Sequence, residues 1–311
     1  MTDLLNPIFQ DADKAREHLE ALRWAEGRFC PHCGETEATS LVRGTKHRPG
    51  LYYCNGCKGQ FTVTVGTVFE RSKIGLNKWL LAFHLMAASK KGISAHQLHR
   101  MLGVTYKTAW FMAHRIREAM KNDSPDPIGG KGKIVEADET FYGNNGDEFT
   151  NDKGWRKKGG TGDKAKIVTF VERDGAARST VVKRLHSGTV DTLITRHVHP
   201  ESFLMTDEAG HYRQPGKKLR GHYAVNHSKG QYAKGFITTN TVEGFFSIFK
   251  RGMNGVYQHC GEQHVHRYLA EFDFRYSHRK VSDRERADLA LKGAEGKRLM
   301  YSQSGLGRSA A

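Results

Sequence analysis

Four cysteines fall in two pairs, Cys30-Pro31-His32-Cys33 and Cys54-Asn55-Gly56-Cys57, with twenty residues between the pairs. Each pair can turn as a knuckle on its two inner residues. Two knuckles supply four thiolates to one tetrahedral zinc ion and leave no open position, so such a site is structural and not catalytic. Paired spacing of this kind belongs to metal binding in a reducing compartment and not to a disulfide framework. His32, inside the first knuckle, reads as a surface residue, and the fifth cysteine, Cys260, as a small buried one. A second set of candidates is acidic and spread along the chain: Asp138, Asp207 and Glu243.

The stretch 239–251, Thr-Asn-Thr-Val-Glu-Gly-Phe-Phe-Ser-Ile-Phe-Lys-Arg, has two faces at helical spacing. Val242, Phe245, Phe246, Phe249 and Met253 recur at i, i+3, i+4, i+7 and i+11, a stripe that must be buried. Glu243, Ser247, Lys250 and Asn254 fall on the other side. An acid and a lysine two turns apart therefore project together from a helix whose back is anchored in a core. That suits an acid held towards a metal and a cation that meets a phosphate. Asn240 followed three residues later by Glu243 also fits a helix cap with its capping box, and both readings stay open here.

The elements that must position these groups follow from patterning. Ala12, Ala15, Leu19 and Leu22 mark one face of a short helix ending near Trp24. Leu51-Tyr52-Tyr53 and Phe61-Thr62-Val63-Thr64-Val65 alternate as the strands of a zinc ribbon. Trp79, Leu80, Phe83 and Ala87 open a helix, and the stretch 93–102 reads as a second with Ser94 as its cap. Gly103-Val104 turns the chain into a third helix that starts at Thr105. A helix of about eight residues, a glycine turn and a Thr-capped helix make the helix-turn-helix pattern. Its exposed start, Thr105, Tyr106 and Lys107, would meet base edges, and Arg115 and Arg117 would meet phosphates. Two prolines and three glycines over 122–132 end this part.

The next stretch, 133–143, reads as a strand carrying Asp138. A Gly-rich basic loop over 144–164 contains Trp155, Arg156, Lys157 and Lys158; it lacks the GK[ST] ending of a nucleotide P-loop and reads as a mobile DNA-touching segment. A hairpin turns around Arg173-Asp174-Gly175, a helix covers 189–197, and a fourth strand over 202–206 ends on Asp207. Strand, hairpin, helix, strand, helix is the order of an RNase H-like mixed sheet, and it sets Asp138 beside Asp207. The fold class expected is therefore α/β, an RNase H-like mixed-sheet domain preceded by a zinc ribbon and a helix-turn-helix. The expected boundaries are 1–72 for the first helix and ribbon, 73–122 for the helix-turn-helix, 131–280 for the sheet domain, and 281–311 for a charged, solvated helix and disordered tail.

Composition bounds the partner. Lys and Arg number 49 against 33 Asp and Glu, a net charge of +16, and this points to a polyanion, nucleic acid first. The longest apolar run, 79–88, contains His84 and is too short for a bilayer, and residues 1–26 lack an apolar signal-peptide core. The expectation is a cytoplasmic, nucleoid-associated protein with no membrane partner.

Over 29–280 the chain resembles the DDE-superfamily insertion-sequence transposases that begin with a zinc ribbon, the ISXO-type group. The resemblance rests on Ala137-Asp138-Glu139-Thr140, Met205-Thr206-Asp207-Glu208, Val225-Asn226-His227-Ser228, Asn240-Thr241-Val242-Glu243 through Lys250-Arg251, and Arg267-Tyr268-Leu269 through Glu271-Phe272-Asp273-Phe274-Arg275-Tyr276. Thirty-five residues separate Asp207 from Glu243, a spacing many members share. The resemblance implies binding of terminal inverted repeats, metal-dependent cleavage, and transfer of the 3′-hydroxyl to target DNA. It implies two magnesium (or manganese) ions, about 3.5–4 Å apart, clamping the oxygens of an in-line displacement. Asp138 would bridge both, Asp207 and Glu243 would each hold one, and Lys250 with Arg251 would meet DNA phosphate. Some relatives carry Asn as the third ligand, which keeps Asn240 beside Glu243 as a candidate. Three carboxylates within ~4 Å repel by a few kcal/mol per pair at an effective dielectric near 20, so the metal-free site should be strained or partly protonated. Strand alternation sends Glu139 to the face opposite Asp138, and it is left out; His227 reads as a structural histidine. Synapsis of two ends implies a dimer or higher assembly. The different-class alternative is a domesticated, non-catalytic DNA-binding regulator, and the nearer one a nuclease without strand transfer.

Overall fold

The structure, a computed structural model, describes residues 4–143, 164–226, 228, 230 and 233–304. The expected basic loop (144–163 of it) and His227 lie outside the described residues. The chain divides into two compact units, one formed by residues 1–122 with 279–311 and the other by 123–278.

In the first unit, α1 (Ala12–Arg23) starts on Asp11, whose carboxylate accepts the N–H groups of Asp13 and Lys14, and it buries Ala15 and Leu19. Three short antiparallel strands follow, β1 (Thr39–Leu41), β2 (Tyr52–Cys54) and β3 (Gln60–Phe61), in that spatial order. The last is shorter than the alternation suggested. After Phe61 the chain turns, with the Val65 N–H donating to the Thr62 carbonyl and the two hydroxyls of Thr62 and Thr64 bonded at 2.9 Å. Hydroxyls that bond locally draw Thr away from a ladder. Three helices come next: α2 (Leu76–Ala88), α3 (Ala95–Leu102) and α4 (Tyr106–Met120). Ser94 caps α3, Gly103 ends it in the left-handed conformation (φ 60°), and Thr105 caps α4 by accepting the Thr108 N–H.

The second unit is a five-stranded mixed sheet. Its strands are β4 (Ile134–Tyr142), β5 (Ala165–Glu172), β6 (Ala177–Val182), β7 (Phe203–Thr206) and β8 (Gly221–Ala224), in the order β6-β5-β4-β7-β8. β4, β5 and β6 run antiparallel in turn, whereas β4, β7 and β8 are parallel. Between β6 and β7 runs α5 (Ser187–His197), and the short α6 (Arg213–Gly216) precedes β8, an edge strand absent from the sequence reading. A two-stranded hairpin, β9 (Ala233–Lys234) and β10 (Ile237–Thr238), leads into α7 (Asn240–Gly252), which runs on through a π turn at Met253–Tyr257; α8 (Val265–Ser277) closes the unit. The sheet buries both faces. Val135, Ala137, Val168 and Phe170 pack on Val190, Leu193 and Ile194 of α5. On the other face Ala165, Ile167 and Val171 meet the expected stripe of α7, all five of whose members are buried, and Val265, Leu269 and Phe272 of α8.

Back in the first unit, α9 (Asp283–Lys292) is not the solvated helix that its charge suggested. It buries Arg286, Ala287, Ala290 and Leu291, and the Arg286 guanidinium donates to the Ala87 and Val281 carbonyls and to Asp283. A long cationic stem covers apolar surface while its head finds acceptors. Tyr301–Ser304 forms a last helical turn, α10, at the start of the stretch expected to be disordered. Among the described residues, no helix is long and apolar enough to cross a membrane.

Candidate active site

Parallel pairing of β4 with β7 sets Glu136 opposite Met205, so two residues further on Asp138 and Asp207 come level on neighbouring strands. Adjacent strands lie about 4.8 Å apart, which makes these two carboxylates neighbours. Asp138 accepts the Glu139 N–H at 2.7 Å, and Asp207 accepts the Ala209 N–H at 3.0 Å. Burial pushes the Asp138 carboxyl up to about 7, and the charges of Glu139, Asp207 and Glu243 push the same way. Burial also raises Asp207, with Glu139 and Glu208 adding to it. Desolvation, more than mutual repulsion, is thus the main source of the strain expected in this cluster.

Glu243 stands in the first turn of α7, exposed, and its Oε1 accepts the Thr239 hydroxyl at 2.6 Å. The cap position is Thr239 and not Asn240, and no capping box forms. Asn240 is the first helical residue, exposed, with its N–H donated to the Thr238 hydroxyl. The cap comes instead from β4. Glu136, fully buried, accepts the N–H groups of Thr241 (2.7 Å) and Val242 (3.1 Å), the Thr241 hydroxyl (2.9 Å) and the Arg173 Nε (2.6 Å). Lys250 and Arg251 are exposed further along α7, and Arg251 donates to the Ser247 carbonyl.

Glu139, left out by strand alternation, acts on the acids from the opposite face. It does lie on the other pleat, but its Oε2 accepts from Tyr212 at 3.0 Å and bonds the His211 Nε2 at 3.2 Å, and its charge acts on both Asp138 and Asp207. The bond to Glu139 raises the His211 imidazole, despite its partial burial. The spacing Asp207-Glu208-Ala209-Gly210-His211 could have flagged this histidine, since a turn after a strand end returns side chains to it. Glu208 in turn accepts the N–H and hydroxyl of Ser228.

Asp138, Asp207 and Glu243 offer only oxygen, which fits a hard divalent ion better than thiolate or imidazole would. They are not drawn tightly together. Among the described residues, the one group of three or more potential ligands whose donor atoms all lie within 4.8 Å of one another is Cys30, Cys33, Cys54 and Cys57. There Cys30 Sγ is 3.7 Å from Cys57 and Cys33 Sγ 3.6 Å from Cys54, so each contact joins the two knuckles. His32 bonds the Gln60 carbonyl and Cys260 packs, half-buried, on the α7–α8 core.

The proposed DNA contacts divide. Tyr106 is 45% exposed and stacks on His96 at 4.3 Å between centroids, and Thr105 is exposed at its cap. Lys107 Nζ sits 4.7 Å from the Tyr301 ring. Arg115 and Arg117, expected to meet phosphates, are buried instead. Arg115 donates to the carbonyls of Val68, Glu70 and Leu299, acceptors far away in sequence that no local pattern reveals.

Residues 129–277 match the ISXO2-like transposase domain, and residues 10–60 match the transposase zinc-ribbon domain. Residues 129–277 thus form an ISXO2-like transposase domain, preceded by a transposase zinc ribbon. It is also 27% identical over 280 residues to an uncharacterized protein in transposable element ISH50 of Halobacterium salinarum, with 86% of this chain and 91% of that protein covered. A chain of the simian T-cell lymphotropic virus intasome in complex with PP2A regulatory subunit B56 gamma is 15% identical, with 64% of this chain and 63% of that one covered, at a TM-score of 0.27. So slight a likeness carries no argument about fold or activity. The family match makes the acids of the sheet, all inside residues 129–277, the place to look for this transposase's chemistry.

Proposed function

We propose that this transposase binds the terminal inverted repeats of its own insertion sequence, cuts at the element's ends, and transfers the 3′-hydroxyl to target DNA. The observation that carries the reading is the level pairing of Asp138 and Asp207 on parallel strands, with the Glu243 helix tied to the same β4 strand. In this reading the sheet domain is RNase H-like, and Asp138, Asp207 and Glu243 would hold two magnesium (or manganese) ions. When bound, the ions supply an activated water or 3′-hydroxyl and charge neutralisation at the departing oxygen. Glu243 is favoured over Asn240 as third ligand because its carboxylate carries charge and is oriented by Thr239. Lys250, on the same side of α7, binds a phosphate near the scissile bond, and Arg251 a neighbouring one. The ribbon holds zinc through its four thiolates. The α3–α4 pair acts as a helix-turn-helix that reads the repeats through Thr105, Tyr106 and Lys107. Binding to the nucleoid in the cytoplasm, and pairing of two copies on two ends, follow from the same reading.

The test uses purified protein, a labelled duplex of its own element's end, a target plasmid and magnesium. Nicked end and joined product are expected, both lost in Asp138→Ala, Asp207→Ala and Glu243→Ala while end binding remains. Nicking without joining makes the protein a nuclease, and binding without any magnesium-dependent cleavage makes it a regulator; either outcome overturns the proposal.

A further inference from the structure

We infer that Glu136 is a positioning residue of the proposed metal site, acting through the N-terminus of α7 to hold Glu243 opposite Asp138; the inference rests on the reading above. Glu136 and Asp138 lie two apart in β4 and so share one face of the sheet. Glu136 is fully buried, and a buried carboxylate is retained only when its oxygens are satisfied. Here both oxygens are taken. Oε2 accepts the Thr241 and Val242 amides, two of the four N–H groups that a helix start leaves without an internal partner. Oε1 accepts the Thr241 hydroxyl and the Arg173 Nε. Arg173 also donates its Nη2 to the Thr238 carbonyl at 3.1 Å, so one guanidinium grips both the carboxylate and the chain entering α7.

The bonded amides immediately precede Glu243. Fixing Thr241 and Val242 to β4 therefore fixes the direction in which Glu243 leaves the helix, relative to the Asp138 strand. The helix start and Arg173 neutralise the Glu136 charge locally, so it holds α7 without adding a free anion to the neighbouring cluster. The role uses acceptors on both carboxyl oxygens. A glutamine offers one acceptor oxygen and turns its NH₂ donors towards the Arg173 Nε or the helix amides, donor against donor.

The test reads manganese affinity by electron paramagnetic resonance and amide hydrogen exchange at Thr241 and Val242, both on full-length protein without DNA, and then end binding. Glu136→Gln is expected to weaken manganese binding by about tenfold and speed exchange at the two amides, with end binding unchanged. Thr241→Val, which removes one hydroxyl bond and keeps the amides, is expected to weaken manganese binding two- to threefold and decides the matter should Glu136→Gln fail to fold. Wild-type manganese affinity in the variant that folds overturns the inference. Failure of the transposase reading is separate: it is seen in wild-type protein, as magnesium without cleavage.

Discussion

The ribbon cysteines and the sheet acids are both sets of candidate metal ligands gathered from separated parts of the chain, and they are assembled in opposite ways. Four sulfurs lie within 4.8 Å of one another, two pairs in mutual contact, on short strands with little core of their own. The acids stand further apart, on a sheet with two well-packed faces, and each is oriented by its own bond: Asp138 to the Glu139 amide, Asp207 to the Ala209 amide, Glu243 to Thr239. In the first case the metal is the core. In the second the core exists already, and the acids stand at its edge without having to build it. A closed tetrahedron stabilises a fold; an open set of oxygens is arranged for chemistry.

The contrast breaks most visibly on metal removal. Stripping zinc, or Cys54→Ser, is expected to unfold residues 29–65, a loss of several kcal/mol given the ≈ 10–16 kcal/mol of structural zinc binding in small fingers. Zinc content and hydrogen exchange read this, and exchange in the sheet unit should not change. A ribbon that stays protected without zinc sinks the first half of the comparison. The acids should behave inversely. Asp138→Asn removes a half-buried carboxyl facing other acids, so in metal-free protein the melting temperature should rise, by about 1–2 kcal/mol of stability, while cleavage is lost. A fall in stability would mean that Asp138 serves the fold.

Smaller perturbations sharpen the picture. Thr239→Val removes the hydroxyl that orients Glu243, and should weaken manganese binding about fivefold, the equivalent of roughly 1 kcal/mol for one hydrogen bond. Calorimetric titration checks it; an unchanged affinity would show that Glu243 needs no such guide. Lastly, the sheet unit has its own acid sensitivity, away from the acids. His197 at the end of α5 is buried, and burial, with Arg196 and Arg178 adding to it, depresses its imidazole from 6.5 to about 4. The folded chain therefore keeps it neutral while the unfolded chain takes up a proton below about 6.5. Stability from this group is present above that pH and is lost as pH falls towards 4. Asp273, raised by desolvation to about 6, works in the other sense, so the contribution is read as a difference. Urea midpoints between pH 7 and 4.5 should fall less in His197→Gln than in wild type.

What the sequence revealed follows the reach of its patterns. The cysteine knuckles, the α7 stripe and the α3–α4 turn are local, set by spacing over a few residues, and each appears where the spacing put it. The level placement of Asp138 and Asp207 also came through, because one strand order fixes it. Contacts formed across the fold did not. Asn240 looked like the cap of α7, but the amides there are capped by Glu136, 105 residues before Thr241 in the chain. Arg115 looked like a phosphate ligand, but its acceptors are backbone carbonyls at Val68, Glu70 and Leu299. Glu139 was set aside by strand alternation, which gives the face correctly and says nothing of Tyr212 and His211 bringing its charge back to the strand ends. Charge alone likewise misread α9, whose Arg286 is buried.

The most direct test is anomalous scattering from crystals of the full chain grown with zinc and soaked in manganese, recorded at both absorption edges. Zinc signal is expected among the four cysteine sulfurs alone, and manganese beside Asp138, shared with Asp207 and Glu243. Manganese at the cysteines, or none beside Asp138, would contradict the division of the molecule into one metal site that builds structure and another that does chemistry.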